Sequence, residues 1–508
     1  MPPIKELLVI LFVGFGVFWL IRPIATKCCG AEDFSRRCYT WALITGAAFI
    51  STSFFIFCLF LIPLLLRLAV KDRNPGAAYC FLVFAIPPIA VPVPMIGMSF
   101  LFVANYYLLI ALFMMGPAAW RIRHQGHPVR VPGFLAIDLC LVGYLLLTSV
   151  LYVHYFNGED SVYESTFTNC VRTAFVYIVQ YFIPYYVISR SGLSRKSVTD
   201  MLVSFVAGCT VLAAIGIVES VRGWALYAVM QDHWGLIGSN YYLMRGGTLR
   251  AIASSGHSLV LGYLTAVAFG GLMGLYGQVE SRARRVAWTG LLLAGSLATY
   301  SRGSWVGVVV ILVAFMTLRE SIVSGLARAI SLLAGMAFLI WLSPLRQKIA
   351  SVIPFLGGSV DKFNIDYRER LVTESWRLIE QSPLLGDQNA LLKLGDLRQG
   401  EGIIDFVNFY VQILLDNGFI GLTLFLGFLL LGLRRLFWFN KSWRDTDSVW
   451  SATISSILAC AIGTLVMFAA GSGSFEVYYL LGGLAAAIMR MEFLSRTQPG
   501  SLGYVARA

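Results

Sequence analysis

Apolar runs long enough to cross a bilayer, roughly 17–25 residues each, recur along the whole chain with short polar breaks between them. They fall near residues 4–21, 41–66, 77–96, 98–116, 133–153, 170–189, 200–219, 256–276, 285–300, 303–318, 326–342, 408–432, 449–470 and 474–490. In hydrocarbon each spanning run must be a helix, because its backbone polar groups need internal partners. The first run follows Lys5 and lacks a small-x-small cleavage pattern, so it reads as a retained helix. The stretch 77–96 carries Pro87, Pro88, Pro92 and Pro94 and is expected to be re-entrant or broken. The pattern predicts an all-α polytopic membrane protein of roughly 12–14 transmembrane helices, judged by span length. N-terminal helices occupy 1–132. Central helices occupy 133–342, with an external loop at 220–255. A large external loop covers 343–407, and C-terminal helices with a tail cover 408–508.

Composition agrees. Of 508 residues, 58% are hydrophobic and 13% charged, the latter about half the usual share for soluble domains. Disorder is excluded by the same figures. The net charge of +12 is spread among apolar spans rather than gathered on one face, which argues against a nucleic-acid partner. Nine cysteines are present, and Cys58, Cys80, Cys140, Cys209 and Cys460 sit inside apolar runs as small hydrophobes. No spacing suggests a metal site, and neither metal nor cofactor is expected.

Lys and Arg in short loops set orientation. Basic loops occur at 121–130, 190–196, 282–285, 319–328 and 434–444, whereas 154–169 has no Lys or Arg but carries Glu159, Asp160 and Glu164. The rule places the C-terminus in the cytoplasm, and 154–169, 220–255, Arg302 and 343–407 outside. The first quarter resists it: 22–37 and 67–73 are both basic, yet one apolar run separates them. Within 343–407, Val372, Trp376 and Ile379 share one helical face, predicting a helix apolar side down on the outer membrane surface. It ends at Ser382-Pro383.

Four stretches carry candidate chemistry: RGGTLRAIASSGHSLVLGYL (245–264), TYSRGSWVG (299–307), YRERLVTESWRLIEQSPLLG (367–386) and RQGEGIIDFVNFYVQILLDNGFIGLTLFL (398–426). In this order they resemble the O-antigen ligase/polymerase (Wzy-type) superfamily of bacterial membrane glycosyltransferases, over roughly 240–430. The GEGIID-x-VN-x-Y form of the last block, with the CCG…RRC region near the N-terminus, looks most like exopolysaccharide polymerases. Ligases of that family carry His-Asn where this chain has Val407-Asn408, a departure that favours a polymerase.

The resemblance implies a GT-C-like architecture and a metal-independent, inverting transfer of glycan from polyprenyl (undecaprenyl) diphosphate. The implied setting is the bacterial inner membrane, with the site facing the periplasm. A flippase and a chain-length regulator are implied partners beside the bilayer itself. A ligase acting on lipid A core or another acceptor is the alternative, and a flippase or transporter of lipid-linked sugars a second. Such a site needs fixed cations for the diphosphate, which guanidinium forks supply.

Arg302, Arg250, Arg245 and Arg370 are the candidates, each with a plainer reading. Arg302 as a helix-end or snorkelling residue, Arg250 and Arg245 as loop cations, and Arg370 as an ion-pair partner of Asp366 and Glu374 on one helix are those readings. Asp405 is the candidate base, or a helix N-cap. Glu401 and Glu476 stand in reserve. Asn408 binds sugar hydroxyls or caps the next helix, and Tyr410 completes the motif. His257 reads as structural. Trp234, Tyr241, Tyr242 and Tyr367 either stack on sugars or form an interfacial belt.

Overall fold

The computed structural model describes residues 3–97, 100–125, 131–155, 167–192, 194–235, 244–245, 248–320, 322–342, 362–387, 390–398, 404, 406 and 408–497. Helices α1 (Ile4–Cys29), α2 (Ala31–Ile50), α3 (Phe54–Lys71) and α4 (Pro75–Leu82) come first. A two-stranded ribbon, β1 (Val91–Pro92) and β2 (Val103–Ala104), follows. Then α5 (Tyr106–Ile110) continues through a wide turn, Ala111–Met115, into α6 (Gly116–Gln125). Next come α7 (Phe134–Tyr155), α8 (Phe167–Tyr177), α9 (Ile183–Ser191), α10 (Arg195–Arg222) and α11 (Ala228–His233). A second ribbon, β3 (Met244–Arg245) with β4 (Thr248–Leu249), leads into α12 (Ser258–Leu275). The chain closes with α13 (Arg282–Ala298), α14 (Arg302–Arg319), α15 (Ile322–Leu342), α16 (Lys362–Gln381), α17 (Ala390–Lys393), α18 (Phe409–Trp443), α19 (Ser448–Ala469) and α20 (Phe475–Thr497).

Ten helices among the described residues are long and apolar enough to cross a membrane. Of the remaining runs, 77–96 and 98–116 yield interrupted helices and 285–300 a helix of 17 residues, whereas 326–342 lies within the 21-residue α15. The molecule is an all-α polytopic membrane protein.

The basic segments meet at one end of the bundle. Lys27 pairs with Glu280 at 3.0 Å, and Arg36 Nη1 donates to the Lys71 carbonyl at 2.6 Å. Arg195 pairs with Asp447 at 2.7 Å, and Arg319 donates to the Ser448 carbonyl at 2.7 Å. The first quarter needs a correction. The run 41–66 is two helices: Ser51–Ser53 breaks it, and Ser53 caps α3 by accepting from the Ile56 N–H at 3.3 Å. Residues 22–37 and 67–73 therefore return to the same end, in keeping with their shared basic character.

The break escaped the apolar pattern because α2 begins ten residues earlier, in a charged stretch whose arginine is hidden. Arg37 is 0% exposed. Its guanidinium forks onto Asp72 with two 2.8 Å bonds and reaches Asp200 at 2.6 Å. Ser204 Oγ accepts a further bond at 2.8 Å. A buried guanidinium is tolerated when its donors meet opposite charge in this way.

Helix α4 unwinds after Leu82, as the proline-rich stretch leads one to expect, and the following residues stay buried to Pro87. Irregular backbone survives at such depth only when its polar groups are met by protein. Tyr106 Oη donates to the Leu82 carbonyl at 2.8 Å, Ser254 Oγ to that of Phe84, and Tyr227 Oη to that of Ala85 at 3.4 Å.

Replacing Arg37 by Met strands two buried carboxylates and should cost about 3–5 kcal/mol, read as a lower melting temperature in detergent. The triple variant Arg37→Met, Asp72→Leu, Asp200→Leu should recover most of that loss. A single variant as stable as the parent would show that the network carries no weight.

Candidate functional site

The turn between α13 and α14 explains two of the three residues in its Ser-Arg-Gly motif. Ser301 is the N-cap of α14, its Oγ accepting from the Ser304 N–H at 3.4 Å and from Ser304 Oγ at 2.9 Å. Gly303 lets the helix start lie against the α19–α20 turn, since a Cβ there would sit 2.7 Å from Ser472 Oγ. Arg302, the first residue of α14, has no such role. It is exposed and makes no hydrogen bond or ion pair among the described residues. The like charge of Arg368 on α16 acts on it. Arg302 therefore begins a helix rather than capping the end of the preceding one.

A second arm, residues 248–257, packs against this turn. Arg250 Nε donates to the Thr299 carbonyl at 3.1 Å, and the Ala251 N–H to that of Ala298 at 3.1 Å. Glu219, fully buried near the end of α10, accepts the Ile252 N–H at 3.0 Å, the Ala253 N–H at 2.7 Å and the Leu226 N–H at 3.0 Å. Two non-glycine residues with left-handed backbone among the described ones are Ala253 (φ 46°) and Tyr300 (φ 50°), one on each side of the Arg250–Thr299 contact. Strain of this kind persists only where surrounding bonds impose it, and it gathers at functional sites. Arg245 lies on the ribbon, opposite Thr248. His257 caps α12, its Nδ1 accepting from the Leu259 N–H at 3.1 Å, in line with the structural reading.

Helix α16 docks on α18 through a stripe other than the face expected to meet the membrane surface. Tyr367, Leu371, Ser375 and Ile379 are buried, with Leu414 and Leu415 of α18 in the same small core. Val372 and Trp376 are 51% and 50% exposed. The helix is amphipathic, but its inward stripe runs through Tyr367 and Leu371, so only Ile379 of the expected face is covered. Arg370 is exposed, and Glu374, its suggested ion-pair partner, is held by Arg377 at 3.1 Å. Arg368, two residues earlier, is the arginine whose charge reaches Arg302. Helix phase separates the two: they differ by 200°, at 100° per residue.

The segment after α16 enters a break in α18. At Gly418 (φ 62°) the helical ladder is interrupted, and the Phe419 N–H donates to the Pro383 carbonyl at 2.8 Å and the Ile420 N–H to that of Leu384 at 3.2 Å. In return, the Asp387 N–H donates to the Leu415 carbonyl at 2.6 Å. A Cβ on Gly386 would lie 2.4 Å from the Leu415 oxygen, and one on Gly418 2.3 Å from the Leu384 oxygen. The Pro-x-x-Gly and Asn-Gly elements are thus one interlocking joint.

Asn408 caps α18, its Oδ1 accepting from the Tyr410 N–H at 2.9 Å and the Val411 N–H at 3.4 Å. Tyr410 Oη donates to the Leu465 carbonyl at 2.6 Å, tying α18 to α19. Asp405, Glu401, Tyr241 and Tyr242 lie outside the described residues. Glu476, one residue into α20, accepts from Ser474 Oγ at 2.7 Å and from Gln180 Nε2 at 3.0 Å. Trp234 belongs neither to a belt nor to a sugar platform: it is buried, its Nε1 donating to the carbonyls of Ser51 at 3.0 Å and Ala48 at 3.2 Å. Tyr367 is buried likewise. Among the described residues, no group of three or more His, Cys, Asp or Glu side chains is arranged to hold a metal.

The fold defines a multi-pass helical membrane protein, with Arg250 and Arg302 on adjoining segments at the end opposite its basic loops. Residues 286–426 match the O-antigen ligase family, from α13 to the middle of α18, and this supports the O-antigen ligase/polymerase superfamily for the chain. The match spans three of the four sequence stretches and supports a membrane enzyme of O-antigen ligase/polymerase type. No curated protein matches the chain.

Gly386→Ala and Gly418→Ala should each cost about 1–3 kcal/mol through backbone strain and overpacking, read as loss of melting temperature. Because the glycines share one joint, the double variant should lose less than the sum of the singles. Full additivity would mean that the two do not act on one contact.

Proposed function

We propose that this protein is a membrane glycosyltransferase that polymerises polyprenyl-diphosphate-linked oligosaccharide repeat units into a surface polysaccharide or exopolysaccharide. The observation that carries the reading is the charge arrangement around Arg302. A guanidinium at the start of α14 meets the positive end of the helix dipole and the like charge of Arg368. Each of these terms disfavours the cluster when it is empty and favours it once an anion sits there. Arg250, held to the same turn through Thr299, adds a third cation. Arg245 stays a candidate by its place in the sequence motif, and Arg370 is the weakest because α16 turns it away from Arg368.

The reaction is a single displacement. The acceptor hydroxyl oxygen bonds to the anomeric carbon while the bond from that carbon to the diphosphate oxygen breaks, the electron pair leaving with the diphosphate. Arg302, Arg368 and Arg250 stabilise the departing charge, an effect that positioned donors exert most strongly where charge develops. The hydroxyl proton passes to a carboxylate, for which Asp405 is the first candidate. Asn408 and Tyr410 follow it in the same sequence motif, and the basic loops at the opposite end argue for a cluster turned toward the periplasm. The family named by the match is a ligase family. Val407, standing where ligases carry His, favours the polymerase.

Cells lacking the native protein and supplied with Arg302→Ala or Asp405→Asn, at membrane levels equal to wild type, should make only single lipid-linked repeats. Loss of one such charge-stabilising group is worth about 10²–10³ in rate. Arg368→Ala should shorten the glycan ladder, and Arg370→Ala should leave it nearly unchanged. Full-length polymer from Arg302→Ala would remove the arginine from the mechanism. Transfer of one glycan to an acceptor in a single step would identify a ligase, and flipping without extension in liposomes would identify a transporter.

A further inference from the structure

At the basic end of the bundle, far from the Arg302 cluster, α2 and α3 leave a groove between them. Its inner part is a cavity of 490 Å³ lined by apolar and small residues, among them Ala42, Gly46, Leu59 and Pro63. Leu43 and Leu64 continue the lining into a second cavity of 740 Å³, whose mouth carries Arg36, Arg67, Lys71 and Glu32. Leu43, Ile50, Leu59 and Phe60 are exposed along the groove, so in a membrane its open side faces acyl chains.

The two halves differ in charge as well as polarity. Three cations face one carboxylate at the mouth, and Glu32 is taken by Arg36 at 2.5 Å. Arg36 also binds Asp33 at 2.6 Å. Arg67 and Lys71 are exposed and take part in no ion pair among the described residues. From Arg36 to Ile50 the groove follows 14 residues of helix, roughly 21 Å at 1.5 Å per residue. Half of a typical hydrocarbon core is about 15 Å, so a chain lying in the groove can run past the midplane. A Cβ on Gly46 would meet nothing within 4 Å, so the floor is open at that point.

We propose that this groove is a binding site for one anionic glycerophospholipid. Its phosphate sits on Arg67 and Lys71 beside Arg36, and one acyl chain lies along Gly46 toward Ile50. Basic pockets between transmembrane helices select anionic headgroups in this way, and the long apolar floor distinguishes a lipid from a soluble anion. The proposal is independent of the enzymatic reading.

The test uses the full-length protein purified in detergent, with melting temperature as the readout. The probes are phosphatidylglycerol, phosphatidylcholine of the same chains, and inorganic phosphate. Phosphatidylglycerol should raise the melting temperature by a few degrees more than phosphatidylcholine, and phosphate alone should do nothing. Gly46→Leu, which fills the floor without a clash, should remove the phosphatidylglycerol shift. Arg67→Gln with Lys71→Gln should make the two lipids equivalent. Equal shifts from both lipids on the parent protein would overturn the proposal, as would a shift from phosphate alone or an unchanged lipid preference in the Arg67/Lys71 variant. The last comparison decides the matter even if Gly46→Leu fails to fold.

Discussion

Within an apolar bundle every peptide group that leaves a helical ladder must find a partner in the protein, and this chain leaves its ladders repeatedly. The exposed carbonyls after α4 are met by Tyr106, Ser254 and Tyr227. The interrupted ladder at Gly418 is met by Pro383, Leu384 and Asp387. The non-helical arm at 250–253 is met by Glu219 and the end of α13. These closures lock together segments far apart in sequence, and two of them adjoin the arginine cluster. Arg250 sits on the arm that Glu219 secures. Arg368 sits on the helix whose C-terminal extension enters α18. Position at the cluster follows from how broken backbone is satisfied.

Charge treatment differs between the two ends. Near the basic loops, arginines are matched one by one: Arg37 with Asp72 and Asp200, Arg190 with Asp138 at 2.5 Å, Arg195 with Asp447. At the other end Ser301, Ser304, Thr299 and Ser472 satisfy one another around Arg302 without supplying a carboxylate. The same residue type is thus structural at one end, while at the other it is left for the anion that the proposed reaction would bring. Arg36, Arg67 and Lys71 fall between these cases, with only the first paired to acids.

Much of the architecture was legible in the apolar pattern, because spans of hydrocarbon length have few alternatives to a helix. The pattern failed where polarity and burial part company. Helix α2 carries Glu32, Asp33, Arg36 and Arg37 in its first turns, so its start read as a loop and its apolar end merged with α3 across Ser51–Ser53. The Ser-Arg-Gly and Pro-x-x-Gly motifs were visible as motifs, but that Gly386 and Gly418 share one joint depends on a contact between distant segments. Arg370 and Arg368 are equivalent by composition. Only the inward stripe of Tyr367 and Leu371 decides which of their charges acts on Arg302. Glu219 was passed over as one acid at the end of an apolar span, and nothing nearby in sequence names its three backbone donors.

The Arg37 network also bears on how the bundle is assembled. Asp72 lies 35 residues beyond Arg37, and Asp200 lies 163 residues beyond it. An arginine buried in protein is unfavourable until its partners arrive. When α2 enters the membrane during synthesis, Asp72 follows with the next hairpin, but Asp200 does not exist until seven further helices have been made. Until α10 lies beside the first helices, Arg37 has only Asp72 of its two carboxylate partners. The contact that completes the Arg37 network thus ties the N-terminal helices to a segment made much later in the chain.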